Sequence, residues 1–119
     1  MSIKIIDYAA VKEVENSPDK SYKNTFLIDV RDAEEFQAGH IPTSLNIPLK
    51  EFRETMSLSN DEWVSVYGKE KPLLSDRLVI YCRSGRRSNL ASLEAIELQY
   101  SWVENYAGSW IEYSSFLAA

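Results

Sequence analysis

One cysteine and one histidine stand in the 119 residues. With Cys82 alone, no intrachain disulfide framework exists, and a reducing compartment is expected. With Cys82 and His40 as the whole supply, zinc held by a cysteine/histidine set is excluded. No other metal and no organic cofactor is expected. No apolar run approaches the roughly 18–20 residues that a membrane helix needs, so the chain is not expected to span a bilayer. The first stretch, MSIKIIDYAAVKEVE, lacks the apolar centre of a signal peptide and carries acids that a transit peptide avoids. The expected location is the cytoplasm, or the mitochondrial matrix for a chain whose transit peptide has been removed. Cations are scarce too: 13 Lys and Arg face 18 Asp and Glu, a net charge of −5. Such an acidic surface disfavours nucleic-acid binding, because phosphate backbones attract a basic face.

What is present reads as ordinary globular composition, 45% hydrophobic and 26% charged. The length suits one domain over residues 1–119, long enough to bury a core without staples. The charge distribution says more than the net value. Arg83, Arg86 and Arg87 lie within five residues, and removing them leaves 10 cations against 18 acids. An acidic chain that gathers cations beside its only cysteine is expected to bind a small anion there.

The apolar pattern predicts alternating strands and helices. Ile3–Ile5 reads as a short strand, followed by a helix capped by Asp7 that runs to about Val14. Asn16–Lys20, with Pro18, reads as a loop. Phe26–Val30 is an apolar run broken by one acid, which predicts a buried strand ending at Asp29. Asp32 and Glu35 have capping-box spacing, as do Ser59 and Glu62, with Gly39 and Gly68 as the respective helix stops. Leu45–Ile47 is a short strand, and Leu49–Met56 reads as helix. Trp63, Val66 and Tyr67 share one face of the helix after Ser59. Leu78–Tyr81 is the clearest buried strand. A helix follows from about Ser88 to Leu98, with Leu90, Leu93, Ala95 and Leu98 as its apolar positions. Val103–Tyr106 and a helix from Trp110 to Leu117 complete the chain. Such alternation favours a parallel sheet covered by helices on both faces.

The segment Tyr81-Cys82-Arg83-Ser84-Gly85-Arg86-Arg87-Ser88 joins a buried strand to a helix. In open α/β sheets, ligands bind beyond the carboxyl ends of the strands. Backbone N–H groups curling toward one point, and the positive end of the helix, suit an anion. Gly85 permits the turn, and the arginines supply fixed charge. A lone cysteine at a strand end is ordinarily a small core hydrophobe. An inert thiol, however, gains nothing from three guanidiniums. Lowering a thiol pKa from about 8.5 to about 6.5 raises the thiolate fraction at about pH 7.4 roughly twelvefold. Intrinsic nucleophilicity then falls about eightfold, so attack gains less than about twofold. The loop is better explained as a cradle for an anion on sulfur, and as a device that makes Cys82 a good leaving group.

Three blocks carry a family resemblance. LIDVRDAEEFQAGHIPTSLNIPL (27–49), YCRSGRRS (81–88) and NYAGSWIEY (105–113) resemble, in order and spacing, the conserved blocks of single-domain rhodaneses, the thiosulfate sulfurtransferase family. The segment WVSVYGKEKP is most similar to small eukaryotic thiosulfate sulfurtransferase/rhodanese-like-domain proteins. The resemblance implies a five-stranded parallel sheet of order 3-2-4-5-1, flanked by helices. It brings the loops at Asp29–Asp32, Cys82–Arg87 and Tyr106–Trp110 to one mouth. Two departures bear on stability: Thr43-Ser44 stands where Gly or Ala often follows the Gly-His-Ile-Pro motif, and Gln99 replaces a helix-ending glycine.

The chemistry so implied is sulfur transfer through a Cys82 persulfide, from a small anionic donor (thiosulfate) to cyanide or a cellular thiol. Arg83, Ser84, Gly85, Arg86 and Arg87 form the substrate-binding loop, and not all three arginines need face inward. Asp29 is expected in an ion pair with a loop arginine or in hydrogen bonds to backbone, since a buried carboxylate needs partners. Arg31 and Asp32 pair locally at the helix start or face the pocket, Trp110 walls the pocket or packs in the core, and His40 has a turn-forming or packing role rather than acting as a base. Two alternatives stay open: a persulfide carrier or non-enzymatic interaction module, and a phosphatase. The related cell-cycle phosphatases need five residues between Cys and Arg, whereas Arg87 leaves four.

Overall fold

The structure is a computed structural model describing residues 3–16 and 24–118. Its elements run β1 (Lys4–Ile6), α1 (Tyr8–Asn16), β2 (Thr25–Asp29), α2 (Ala33–Ala38), β3 (Leu45–Asn46), α3 (Leu49–Thr55), α4 (Asn60–Tyr67), β4 (Arg77–Tyr81), α5 (Arg86–Glu97), β5 (Trp102–Tyr106) and α6 (Ser109–Leu117). The strands form one parallel sheet of order β1-β5-β4-β2-β3, which is the order the resemblance implied, read from the opposite edge. Apart from Asn16, the loop expected at 16–20 lies outside the described residues.

Alternation along β4 decides which way each side chain faces. Leu78, Ile80 and, just past the strand, Cys82 enter a core with Ile28, Val30 and Val103, covered by Phe52 of α3, Trp63 of α4, and Ala91 and Ala95 of α5. Val79 and Tyr81 enter a second core with Leu27, Tyr106, Val11 of α1 and Tyr113 of α6. Both faces of the sheet are therefore buried, and for that reason its central strand reads as a continuous apolar run. Each fully buried side chain of this size stabilises by about 1.5–3 kcal/mol.

Several local expectations hold. The carboxylate of Asp7 accepts from Ala10 N–H at 3.0 Å and caps α1. The Ser59 hydroxyl accepts from Glu62 N–H at 3.2 Å while Glu62 accepts from Ser59 N–H at 2.9 Å, a reciprocal cap on α4. Gly68 ends that helix in the left-handed region, φ +72°.

Two helix faces differ from their expected pattern. On α5, Leu90 and Leu93 are 46% and 48% exposed, and the buried positions are Ser88, Ala91, Ser92 and Ala95. Those four keep helical spacing; of the expected apolar positions Ala95 is buried and Leu98 packs against the core, while Leu90 and Leu93 face out and two serines take buried places that counting apolar residues misses. Small side chains let α5 lie close to the sheet, and the Ser92 hydroxyl disposes of its polarity by donating to Ser88 O at 2.7 Å. On α4, Trp63 is fully buried and Tyr67 half-buried, while Val66 is exposed. α5 also starts at Arg86, two residues before the expected start, which makes Arg86 and Arg87 its first turn.

The C-terminus of α5 ends in two nested bonds, Gln99 N–H to Ile96 O at 2.9 Å and Tyr100 N–H to Ala95 O at 3.1 Å. This Schellman arrangement needs a left-handed residue at its centre, and Gln99 supplies it at φ +79°. Holding a residue with a Cβ there costs about 1–2 kcal/mol, partly offset by the extra chain entropy a glycine loses on folding. Gln99 is exposed, so nothing else depends on its side chain. Gln99→Gly is expected to raise stability by about 0.5–1 kcal/mol, read as a higher urea midpoint with an unchanged m-value.

Candidate active site

The carboxyl ends of β2, β4 and β5 meet at one mouth. From β4 the chain passes into Cys82, whose N–H donates to the Ser109 hydroxyl at 3.1 Å. The carbonyls of Cys82 and Arg83 accept from Trp110 N–H and Ile111 N–H, each at 2.9 Å. The start of the loop is thus anchored to the first turn of α6, using N–H groups that a helix leaves unpaired. Ser109, fully buried, donates in turn to Tyr106 O at 2.8 Å. Its φ of +55° is unusual for a residue with a Cβ, and its hydrogen bonds with Cys82 N–H and Tyr106 O hold it there.

Gly85 closes the turn at φ +96°, and a Cβ added there would lie 2.6 Å from Ala107 O. Only glycine fits both the conformation and the close approach of the β5–α6 connection. The turn aims Gly85 N–H at the Cys82 sulfur, 3.1 Å away. The Ser88 hydroxyl lies 3.5 Å from the sulfur and Ser109 Oγ lies 4.0 Å from it. Cys82 is 1% exposed. Burial pushes its thiol pKa up, but the Ser88 hydroxyl and the N–H groups of Ser88, Ser84 and Gly85 outweigh burial and hold it below the ordinary thiol value. The site can therefore hold negative charge on a sulfur that water scarcely reaches.

The arginines divide by partner. Arg87 grips Glu35 of α2 at two points, Nη1–Oε1 2.8 Å and Nη2–Oε2 3.1 Å. Arg83 and Arg86 are exposed, and no ion pair or hydrogen bond of their guanidiniums is found among the described residues. Asp29 does not reach an arginine of the Cys82 loop, but the backbone hydrogen bond expected as the other possibility is present, with Asp29 Oδ1 accepting from Arg31 N–H at 2.9 Å. It is fully buried and paired with Arg31, whose Nη2 lies 2.7 Å and Nε 3.0 Å from Asp29 Oδ2. Arg31 Nη2 also donates to Gly39 O at 2.7 Å, and its guanidinium lies 5.1 Å from the Trp110 ring centre. Asp29, Arg31 and Trp110 thus brace the wall between α2 and α6. His40 stacks on Phe36 at 3.7 Å with Nδ1 2.8 Å from Phe36 O, a turn contact. Among the described residues, no cluster of His, Cys, Asp and Glu could hold a metal ion, and no helix is long and apolar enough to cross a membrane.

A family model described as Rhodanese-like domain matches residues 10–116. The chain belongs to the rhodanese-like domain family. It is 43% identical over 113 residues to a Schizosaccharomyces pombe protein provisionally named a mitochondrial thiosulfate sulfurtransferase, covering 95% of this chain and 79% of the relative. It is 40% identical over 88 residues to the human thiosulfate:glutathione sulfurtransferase, covering 73% and 76% of the two chains. Among solved structures, a human single-domain sulfurtransferase superposes with a TM-score of 0.83 at 30% identity, over 96% of this chain and 97% of its own. The rhodanese resemblance read from the three blocks is thereby established, and the enzyme class it implied is the class these relatives are named for.

Three residues at this rhodanese-like mouth lie within the quoted blocks but escape a reading of residue types: Ser88, Ser109 and Glu35. A serine one turn into a helix, or just after a glycine, looks like any cap. Glu35 looks fully explained by its capping role, since it also accepts from Asp32 N–H at 3.1 Å. Only the fold shows that the same carboxylate faces Arg87 across 52 residues of chain. Chiefly because of the Arg87 hydrogen bonds, the Glu35 carboxyl is lowered from 4.5 to about 2. A carboxyl depressed in the folded state stabilises above its unfolded pKa and loses that contribution as pH falls through its folded pKa. Wild type should therefore lose its advantage over Glu35→Gln as pH drops from about 4.5 toward about 2. Urea unfolding of both proteins across that range measures the narrowing gap.

Proposed function

We propose that the protein is a thiosulfate sulfurtransferase carrying sulfane sulfur as a persulfide on Cys82. The carrying observation is the sole thiol, buried, with Gly85 N–H aimed at its sulfur from 3.1 Å and the Ser88 hydroxyl at 3.5 Å. The names of the relatives favour the same chemistry. In the first half-reaction the Cys82 thiolate attacks the outer sulfur of thiosulfate. The S–S bond of the donor breaks, and sulfite leaves with the electron pair. The product persulfide keeps its negative charge on the outer sulfur, facing the loop N–H groups. In the second, an acceptor thiolate or cyanide attacks that outer sulfur, and Cys82 departs as thiolate. A low thiol pKa serves this second step, because a stable thiolate leaves readily.

No proton has to move at the sulfur in either step when both nucleophiles enter as anions, so the reading needs no general base. His40, bound to Phe36 O, has no catalytic part in it. Arg83 and Arg86 draw the dianionic donor to the mouth. The acceptor is a thiol by likeness to the thiosulfate:glutathione sulfurtransferase relative, whose name pairs the donor with a thiol.

Incubation with thiosulfate alone should add one sulfur, about 32 Da, to the intact mass, and cyanide or a thiol should remove it. Cys82→Ser should show neither adduct nor turnover; an adduct on that variant would sink the assignment. A wild-type adduct that cyanide and thiols fail to discharge would favour the carrier reading.

Arg83→Gly should raise the thiosulfate KM about threefold and flatten its dependence on ionic strength, since one exposed cation is lost from the approach path. Steady-state kinetics at two salt concentrations would measure both effects.

A further inference from the structure

The Arg87–Glu35 pair does more than join two helices. Glu35 is the third residue of a capping box, so the Asp32 N–H and the Arg87 guanidinium hold its carboxylate from two sides. A guanidinium gripped at two points by a carboxylate fixed in this way is neither free to swing nor free in charge. Arg87 nevertheless stands near enough to feel charge on the Cys82 sulfur, with Glu35 the larger influence on it and Asp32 a smaller one.

The charges facing this mouth can be paired off. Asp29 and Arg31, at the end of β2, cancel each other. Glu35 of α2 and Arg87 of α5 cancel each other. Asp32, Arg83 and Arg86 remain, and the last two are exposed without ion-pair partners among the described residues. We propose that Glu35 is a positioning residue that sets the charge at the Cys82 loop: by gripping Arg87 at two points it withholds that cation from incoming anions and leaves recognition to Arg83 and Arg86. The inference rests on the sulfurtransferase reading and adds to it a control on selectivity. A free Arg87 in the first turn of α5 would favour the donor dianion, but it would equally favour inorganic phosphate and sulfate. Glu35 gives up some donor affinity to keep those ions out.

The two partners should then act on the sulfur with opposite signs. Glu35→Gln is nearly isosteric and can still accept from Asp32 N–H, so mainly the charge is lost. It should lower the Cys82 thiol pKa by about half a unit, lower the thiosulfate KM about threefold, and strengthen competitive inhibition by inorganic phosphate about threefold, as one partly screened charge does near an anion site. Arg87→Gln, which leaves Glu35 uncompensated, should move all three the other way. The double variant Glu35→Gln/Arg87→Gln should return close to wild type, since the pair is neutral. The thiol pKa comes from the pH dependence of alkylation of the sole cysteine, a measurement that needs no sulfur donor. It therefore separates failure of this inference from failure of sulfur transfer. Shifts of the same sign in both single variants, or none, would show a purely structural brace and overturn the proposal. If Glu35→Gln does not fold, Arg87→Gln decides alone: a thiol pKa that falls or stays put overturns it.

Discussion

Negative charge on a sulfur that is 1% exposed needs donors, because an ionised group out of water without them costs several kcal/mol. The mouth is organised around that demand. Gly85 takes a left-handed conformation so that its N–H reaches the sulfur. α5 begins at Arg86, so the loop runs straight into a helix N-terminus with its unpaired N–H groups. Ser88, the third residue of that helix, turns inward and offers its hydroxyl. The loop's carbonyls, which would otherwise repel the same charge, point away and are taken up by Trp110 N–H and Ile111 N–H. Ser109 is held at positive φ where its hydroxyl can receive the Cys82 N–H. Of these features only Ser109, at φ +55°, is unusual for its residue type, and together they surround the sulfur with donors.

How much of this was legible in the sequence depended on the range of the interaction. Signals carried by neighbours in the chain came through: the Asp7 cap, the Ser59–Glu62 box, the buried run of β4, and a turn at Gly85. The family blocks brought strand order as well, which residue patterns alone do not determine. What was only partly legible was the buried face of α5, where Ala95 and Leu98 face inward as expected but Leu90 and Leu93 do not. There the helix packs against the sheet through Ser88 and Ser92, and a serine that satisfies its own hydroxyl counts as small rather than polar. Pairings between distant segments were also out of reach. Asp29 called for a loop arginine or for hydrogen bonds to nearby backbone, and the sequence did not single out Arg31, two residues away, as its cation. Alternation settles it: β2 ends with Asp29 buried, and the chain curls so that Arg31 N–H and its guanidinium both bind the same carboxylate.

The excess of acid over base also finds a local meaning. A cluster of three arginines suggests a strongly positive pocket. Once partners are assigned, the cluster is one fixed ion pair and two exposed guanidiniums. Exposed cations act over distance and weaken with salt, so they steer an anion more than they bind it. Short-range holding is left to backbone N–H groups and hydroxyls, which carry no net charge. Under the proposed reaction, such a division suits the anionic product, sulfite, which has to depart once sulfur is transferred. Three converging free guanidiniums would retain it.

The same division bears on phosphoryl chemistry. A phosphatase built on a cysteine loop needs the arginine at the loop's end to face the anion, gripping the oxygens of the phosphoryl group. Arg87 ends this loop after four intervening residues, and both its terminal nitrogens are engaged by Glu35. Opening room for a tetrahedral group would mean breaking a two-point ion pair and displacing Gly85 from its seat against Ala107 O, where a Cβ would already clash. Gly85 N–H and the Ser88 hydroxyl already stand 3.1 and 3.5 Å from the Cys82 sulfur. A single extra sulfur on Cys82 keeps charge within reach of those donors, whereas three phosphoryl oxygens would need donors the short loop does not supply. Loop length and the commitment of Arg87 thus favour sulfur transfer for separate physical reasons, the first through space and the second through charge.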